Sequence, residues 1–229
     1  MLSAQEKTVL AHLGQFVSEH KKEVLARVLD LRTRYITVVL EDIYQSQNAS
    51  AAIRTCECMG IQDVHMVENI SKYSINPKVL RGANKWTNIV RYQDRSINTT
   101  VACLESLRQS GYRILVTDPG VDGVSIHEVD TYAGPMAIWF GNELHGISAD
   151  ASRLADLKVY IPMHGFTESL NISASVAITL DVLVTQLHAI DDAVWKLSED
   201  EKEELKLKWY RKMVRKSALI EREFLRTNN

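Results

Sequence analysis

Cysteine, proline and glycine are all scarce in this chain of 229 residues, which holds 3, 4 and 10 of them. The cysteines, Cys56, Cys58 and Cys103, are odd in number and leave no second pair to complete a zinc site. They read as free thiols of a reducing compartment. There is no Gly/Ser linker, no low-complexity tract and no internal repeat. The common phosphate-binding loops are missing too: no Gly-x-Gly-x-x-Gly follows a strand, and no Gly-Lys-Ser/Thr closes a glycine-rich turn. The longest weakly charged stretch, residues 169–190, has Asp181 as its sole charge, yet nine of its 22 residues are polar. That is too many for a membrane span. Met1 to Glu6 has no basic segment leading into an apolar one, so no secretory signal is read. The expectation is a soluble, cytoplasmic chain with no membrane partner.

What is present is ordinary in bulk and uneven in placement. Hydrophobic residues make up 45% and charged residues 24%, globular proportions that suffice for a full core without staples. The 27 bases against 29 acids give a net charge of −2, and taken whole that argues against a nucleic-acid partner. By region the picture differs. Residues 1–35 carry 6 bases and 4 acids, and residues 195–229 carry 10 and 7, leaving 11 bases and 18 acids between them. Residues 206–216 alone hold six bases and no acid, including Lys208, Arg211, Lys212 and Arg215. Such a run is either the solvated face of a packing helix or a surface for phosphates.

Periodicity places the elements. Ser3 with Glu6 forms a capping box, and Val9, Leu10, Leu13, Phe16, Val17, Val24, Leu25 and Val28 continue a helical pattern. Residues 36–40 form a β-branched strand, 48–59 a helix closed by Gly60, 64–67 a strand and 89–92 a weaker one. A helix over 100–110 precedes a strand over 114–117. Residues 136–140 are a strand, 149–155 a short helix, 159–161 a strand stopped by Pro162, and 169–190 a long helix. Strands alternating with helices predict an α/β domain, its mostly parallel sheet covered by helices on both faces. Ser198 with Glu201 opens a last helix, with Leu205, Trp209, Met213, Ile220 and Phe224 on one face.

Three segments look unlike scaffolding. Asn48-Ala49-Ser50-Ala51-Ala52-Ile53-Arg54 follows a strand, where open α/β sheets bind ligands. Asn48 suits a helix N-cap as well as a ligand contact, and Arg54 lies on the same helix within reach of one mouth. Phe140-Gly141-Asn142-Glu143-Leu144-His145-Gly146-Ile147-Ser148 brings backbone N–H groups, a carboxylate and two flexible hinges together after an apolar strand. Residues 161–173, from Ile161-Pro162-Met163 through Gly165 to Ser169-Leu170-Asn171-Ile172-Ser173, end a strand and enter a helix with Ser169 or Asn171 as its cap. That helix is apolar nearly all round, so it needs cover on more than one side, and a partner subunit is the natural candidate.

In this order the three segments resemble the motifs of the SpoU (TrmH) family of RNA ribose 2′-O-methyltransferases, within the SPOUT superfamily. The family patterns N-x-(S/G)-A-x-x-R, F-G-x-E-x-x-G-(I/L/V)-S and I-P-M-x-G-x-x-x-S-L-N-(V/I)-S match Asn48 to Arg54, Phe140 to Ser148 and Ile161 to Ser173. The resemblance spans residues 35–190, between a helical extension at 1–34 and a basic one at 191–229. It implies a deep C-terminal trefoil knot that general topology would not have given, S-adenosyl-L-methionine as cofactor, and a homodimer. The cofactor pocket would be lined by Thr117, Gly141, Gly146, Ile161, Met163, Ser169 and Leu170. Arg54 would be the central catalytic residue, facing the partner's pocket, with Asn48, Glu143, Ser169 and Asn171 holding it, the ribose and the cofactor. Small residues at Gly141, Gly146 and Gly165 would let backbone approach closely.

The helical extensions resemble those of the tRNA-modifying branch, which implies methylation of guanosine 18 in the tRNA D-loop. Lys85, in Gly82-Ala83-Asn84-Lys85-Trp86, suits an RNA contact or an ordinary surface position, and Lys208, Arg211, Lys212 and Arg215 suit phosphates. The alternatives are a ribosomal RNA methylase of the same family and a non-catalytic RNA-binding protein. Departures from the family pattern are Glu168 in place of Gln, Ala174 in place of Val, and Gln45-Ser46-Gln47 before Asn48.

Overall fold

The computed structural model describes residues 1–94, 96–120 and 122–227, which form two compact units. The larger, Thr33–Trp195, is built on a seven-stranded sheet. Its strands are β1 (Ile36–Glu41), β2 (Asp63–Val67), β3 (Asn88–Tyr92), β4 (Arg113–Thr117), β5 (Val124–Ser125), β6 (Met136–Phe140) and β7 (Leu157–Tyr160). They lie in the order β3-β2-β1-β6-β4-β7-β5, and every neighbouring pair is parallel. Two helices precede the sheet in the chain, α1 (Ala4–Gly14) and α2 (Glu19–Asp30). Within it come α3 (Ser46–Cys58), α4 (Pro77–Leu80), α5 (Thr99–Gln109), α6 (Ala149–Leu154), α7 (Ile172–Leu187) and α8 (Asp192–Trp195), and after it α9 (Glu199–Met213) and α10 (Ser217–Thr227).

The two-residue period of the strands sorts their side chains between two cores. Ile36, Val38 and Leu40 of β1 join Met136, Ile138 and Phe140 of β6 on the face covered by α3 and α7. Val39, Ala137 and Trp139 point to the opposite face, against Cys103, Leu104 and Leu107 of α5. Both faces being covered, the central strands read as unbroken apolar runs. Cys56 and Cys103 are buried, and burial pushes both thiols up. They are packing residues with little thiolate character.

The smaller unit, Met1–Arg32 with residues 196–229, departs from the sequence expectation twice. The N-terminal pattern is two helices, because α1 ends at Gly14 and α2 begins after Ser18, whose extended backbone cannot continue a helix. Phe16, expected on the apolar face, is instead exposed in the turn between them. The last helix is likewise interrupted: Val214 is extended and Lys216 left-handed (φ 60°), so Ile220 and Phe224 belong to α10 and not to the stripe of Leu205 and Trp209. Phe224 stacks on His12, with ring centroids 4.1 Å apart.

One buried acid ties four elements of the sheet unit together. Glu41, the last residue of β1, is 2% exposed and accepts hydrogen bonds from Trp139 Nε1 of β6 (2.9 Å), Thr100 Oγ1 of α5 (2.5 Å) and the backbone N–H of Ser148 (3.2 Å). Ser148 is itself the N-cap of α6, its hydroxyl accepting from the Ala151 N–H. Three donors satisfy this carboxylate, with no basic partner among the described residues. A Trp139→Phe variant keeps the ring and removes one charge-assisted bond, which should cost about 1.5–3 kcal/mol in urea denaturation. An unchanged midpoint would mean that water replaces the indole.

Candidate functional site

The carboxyl ends of β1, β4, β6 and β7 open on one side of the sheet, where α/β folds form their ligand crevice. A cavity of about 610 Å³ lies there. Its walls come from the loop after β1 and the start of α3 (Gln45, Asn48), from Thr117 and Asp118 after β4, from the segment after β6, and from residues 159–172 with Ser175 and Thr179 of α7. The volume falls within the range of small-molecule pockets.

The segment after β6 is shaped by backbone contact. A Cβ on Gly141 would lie 2.2 Å from the Gly146 carbonyl oxygen, so no other residue fits there. The chain from Asn142 to Gly146 closes on itself through two hydrogen bonds of 2.8 Å, Asn142 N–H to Gly146 O and Gly146 N–H to Asn142 O. The Asn142 side chain accepts from the Leu144 N–H (2.7 Å) and donates to the Asp42 carbonyl (2.6 Å). Asp42 is itself left-handed (φ 50°), a conformation that aspartate tolerates better than most residues, and its carboxylate accepts from the N–H groups of Ile70 and Ser71. Strain in the backbone just after β1 is thus fixed by the loops on either side.

That turn presents Glu143, which accepts from Asn48 Nδ2 at 2.7 Å. Asn48 Oδ1 in turn accepts from Asn171 Nδ2 at 3.2 Å. Asn171 is also the N-cap of α7, its Oδ1 accepting from the Ser173 N–H at 2.9 Å and the Ser173 hydroxyl at 2.6 Å. One residue from each of the three segments therefore meets at the rim of the cavity. Thr117, which donates to the Trp139 carbonyl at 3.0 Å, lines it as well, with Gly141, Gly146, Ile161, Met163, Ser169 and Leu170.

The structure differs from the sequence reading at Asn48, at Arg54 relative to the cavity of its own chain, and at Gly165. Asn48 is not an N-cap: α3 starts at Ser46 after Gln45, which frees the Asn48 amide for Glu143 and Asn171. Arg54 is exposed and outside the cavity lining. At about 100° per residue, six residues turn it roughly 120° away from Asn48 around the helix. Gly165 is not crowded, the nearest atom to an added Cβ being 4.0 Å away. Lys85 is exposed in a single 3-10 turn, Ala83–Lys85, far in sequence from the cavity-lining segments. In the smaller unit Lys208, Lys212 and Arg215 are exposed on α9 and after it, whereas Arg211 is held by Glu221 through bonds of 3.0 and 2.6 Å. Sequence reasoning missed Glu41, Asp42 and Thr179. Glu41 ends β1 and Asp42 follows it, and nothing in their sequence neighbourhood marks the distant donors they accept from; Thr179 sits in an apolar helix, and its buried hydroxyl has no hydrogen-bond partner among the described residues.

The SpoU rRNA Methylase family model matches residues 35–181, most of the sheet unit and all three segments. The chain belongs to the SpoU methylase family. Similar proteins include the tRNA (guanosine(18)-2′-O)-methyltransferase of Borreliella burgdorferi, 42% identical over 91% of this chain and 93% of that one. The enzyme of the same name from Aquifex aeolicus is 29% identical over 84% and 90%. Among solved structures, the A. aeolicus TrmH/SpoU tRNA modifying enzyme superposes with a TM-score of 0.75 at 30% identity, covering 86% of this chain and 98% of that one. The all-parallel sheet and its helices are those of the SpoU fold.

In this SpoU chain the closed turn after β6 is the least tolerant point of the site. Gly141→Ala should open the Asn142–Gly146 pair and destabilise the unit by about 1–3 kcal/mol. Hydrogen exchange would report it, as faster exchange of the Asn142 and Gly146 amides; unchanged protection would show that the turn can move aside.

Proposed function

We propose that this chain transfers a methyl group from S-adenosylmethionine to the ribose 2′-OH of guanosine 18 in tRNA, working in the cytoplasm as a homodimer. The observation that carries this reading is the meeting of Asn48, Glu143 and Asn171 at the rim of one cavity, in a chain whose relatives at 42% and 29% identity are named for that reaction.

The cavity fits the cofactor by its chemistry. Ile126, Phe140, Val159 and Ile161 offer apolar walls for an adenine, and Asp118, Glu143 and Glu168 supply negative charge for a sulfonium and an ammonium. The Thr179 hydroxyl, buried in the wall with no hydrogen-bond partner among the described residues, leaves one polar atom for a ligand or water. The cofactor, when bound, supplies an electrophilic methyl group on sulfur. Gly141 and Gly146 bring the backbone close to it, with Thr117, Met163, Ser169 and Leu170 around them, and residues 161–171 would follow the knotted path of the superfamily.

The protein's own task is orientation and charge. Arg54 clamps a phosphate beside the target ribose with its planar fork and polarises the 2′-OH, the proton leaving to phosphate or water. A guanidinium carries its protons throughout and offers only donors, so the clamp is the better role. Arg54 stands off the cavity of its own chain, which fits a donor from a second copy. Phe166, fully exposed, and Leu144, 76% exposed, lie on the two segments that line the cavity without lining it themselves, and would be covered by that copy. Glu143, through Asn48, holds Asn171 and the rim in register. Lys85 and the exposed bases of α9 add RNA contacts.

Arg54→Lys, which loses the fork, should lower single-turnover methylation of tRNA at least about a hundredfold while leaving cofactor affinity intact. A near-normal rate would overturn Arg54's role. Incubation with labelled cofactor and both tRNA and ribosomal RNA tests the substrate: label in ribosomal RNA alone moves the assignment there, and none in either leaves a binding protein. Mixed Arg54→Ala and Asn171→Ala chains should regain about a quarter of wild-type activity, since half the dimers would hold one intact site. No regain would place Arg54 and the cavity in one chain.

A further inference from the structure

Charge inside the sheet unit is as uneven as charge along the chain. From Asn69 to Gln93, 25 residues contain five bases (Lys72, Lys78, Arg81, Lys85 and Arg91) and no acid, although the surrounding region is net acidic. Arg91 is neutralised by Glu68 through bonds of 2.7 and 3.0 Å. Lys72, Lys78 and Arg81 are exposed, and among the described residues their side chains form no ion pair. Lys85 lies on the same segment.

The backbone under these bases is held firmly. Lys72 sits between two tethered amides, Ser71 N–H on the Asp42 carboxylate (2.9 Å) and Tyr73 N–H on the Glu68 carboxylate (3.0 Å). Asn76 caps α4, and its own N–H donates to Ser50 Oγ of α3 at 2.9 Å. Leu80 and Ala83 are buried in the core that α3 shares. Between them Arg81 takes the left-handed conformation (φ 48°) that ends α4.

The Ser50 anchor also decides where Arg54 lies. Residues four apart share one stripe of a helix, so Arg54 emerges one turn beyond the Ser50–Asn76 bond, beside the strip that carries Lys78 and Arg81. Arg54 thereby belongs to the stripe of α3 that carries Ser50, the residue bonded to Asn76, and not to the stripe of Asn48 at the cavity.

We propose that Lys72, Lys78 and Arg81 form, with Arg54 at one end, a phosphate-binding track along which the RNA backbone enters the catalytic unit. The inference rests on the RNA-methylating function proposed above, and gives it a direction of approach. Fixed cations spaced along one strip suit a phosphate chain and read no base, so the track positions RNA without selecting its sequence. The terminal helices are then not the sole basic surface.

The test is a triple variant, Lys72→Ala, Lys78→Ala and Arg81→Asn, asparagine being chosen because it accepts the left-handed backbone. Binding of tRNA is followed between about 50 and 200 mM salt, alongside calorimetry with S-adenosylhomocysteine. The slope of log K against log[salt] should fall by about 2–3 in magnitude, one phosphate contact per base removed, with nucleoside affinity unchanged. Wild-type protein that binds and methylates tRNA while the triple variant keeps its slope would overturn the track and leave the function standing. Wild-type protein that neither binds nor methylates RNA would remove the function itself. A charge-retaining set, Lys72→Arg, Lys78→Arg and Arg81→Lys, separates charge from folding: it should keep the wild-type slope, and a loss equal to that of the triple variant would overturn the track.

Discussion

The arrangement of the sheet unit depends on a carboxylate placed where water cannot reach it. Glu41 closes the apolar run of β1, and by accepting from an indole, a hydroxyl and a backbone amide it joins β6, α5 and the start of α6. A buried anion without such donors would be expelled or neutralised. With them, it locks the rear of the ligand crevice at the level where the chain leaves β1 and β6. The next residue, Asp42, turns through a left-handed conformation and braces the loops on either side. Two adjacent buried acids, Glu41 toward the sheet and α5 and Asp42 toward the loops at 69–71 and 142, thus brace the end of β1.

On that base, three distant stretches of chain are brought to one edge by small amide contacts. Asn48 is the hinge of the set: 7% exposed, it donates to Glu143 and accepts from Asn171. An asparagine can do both at once, which an aspartate or a lysine cannot. Each partner is held in turn by its own element, Glu143 by a closed turn and Asn171 by the first turn of α7. The rim therefore has little freedom before any ligand arrives, which is the condition for precise alignment of reacting groups.

Much of this was legible in the sequence, because the sheet is covered on both faces and its strands stand out as β-branched runs. Met136–Phe140 was predicted to the residue and five other strands to within two residues at either end, whereas the two-residue edge strand β5 (Val124–Ser125) is too short to leave a pattern and was missed. The three motif segments supplied the fold family and the cavity's walls. What the sequence could not show were interactions set by tertiary geometry. Helical periodicity continued across Gln15–Ser18 and Val214–Lys216 because apolar spacing carries no record of a backbone reversal. Asn48 looked like a cap because caps and buried hydrogen-bonding amides use the same residue. Arg54 seemed to share a mouth with Asn48, since motif spacing counts residues and not degrees around a helix. Net charge by region concealed the basic strip of residues 69–93 inside an acidic domain.

The turn from Asn142 to Gly146 is a ring: its two end residues exchange both backbone hydrogen bonds, and the preceding glycine touches its far end. A ring of this kind cannot gain or lose a residue and still close. Chain length here is as strictly constrained as chemical identity. Natural variation in loop length must therefore fall elsewhere around the crevice, and a graft of this motif into another scaffold would have to carry the whole loop, both closing glycines included, as one piece.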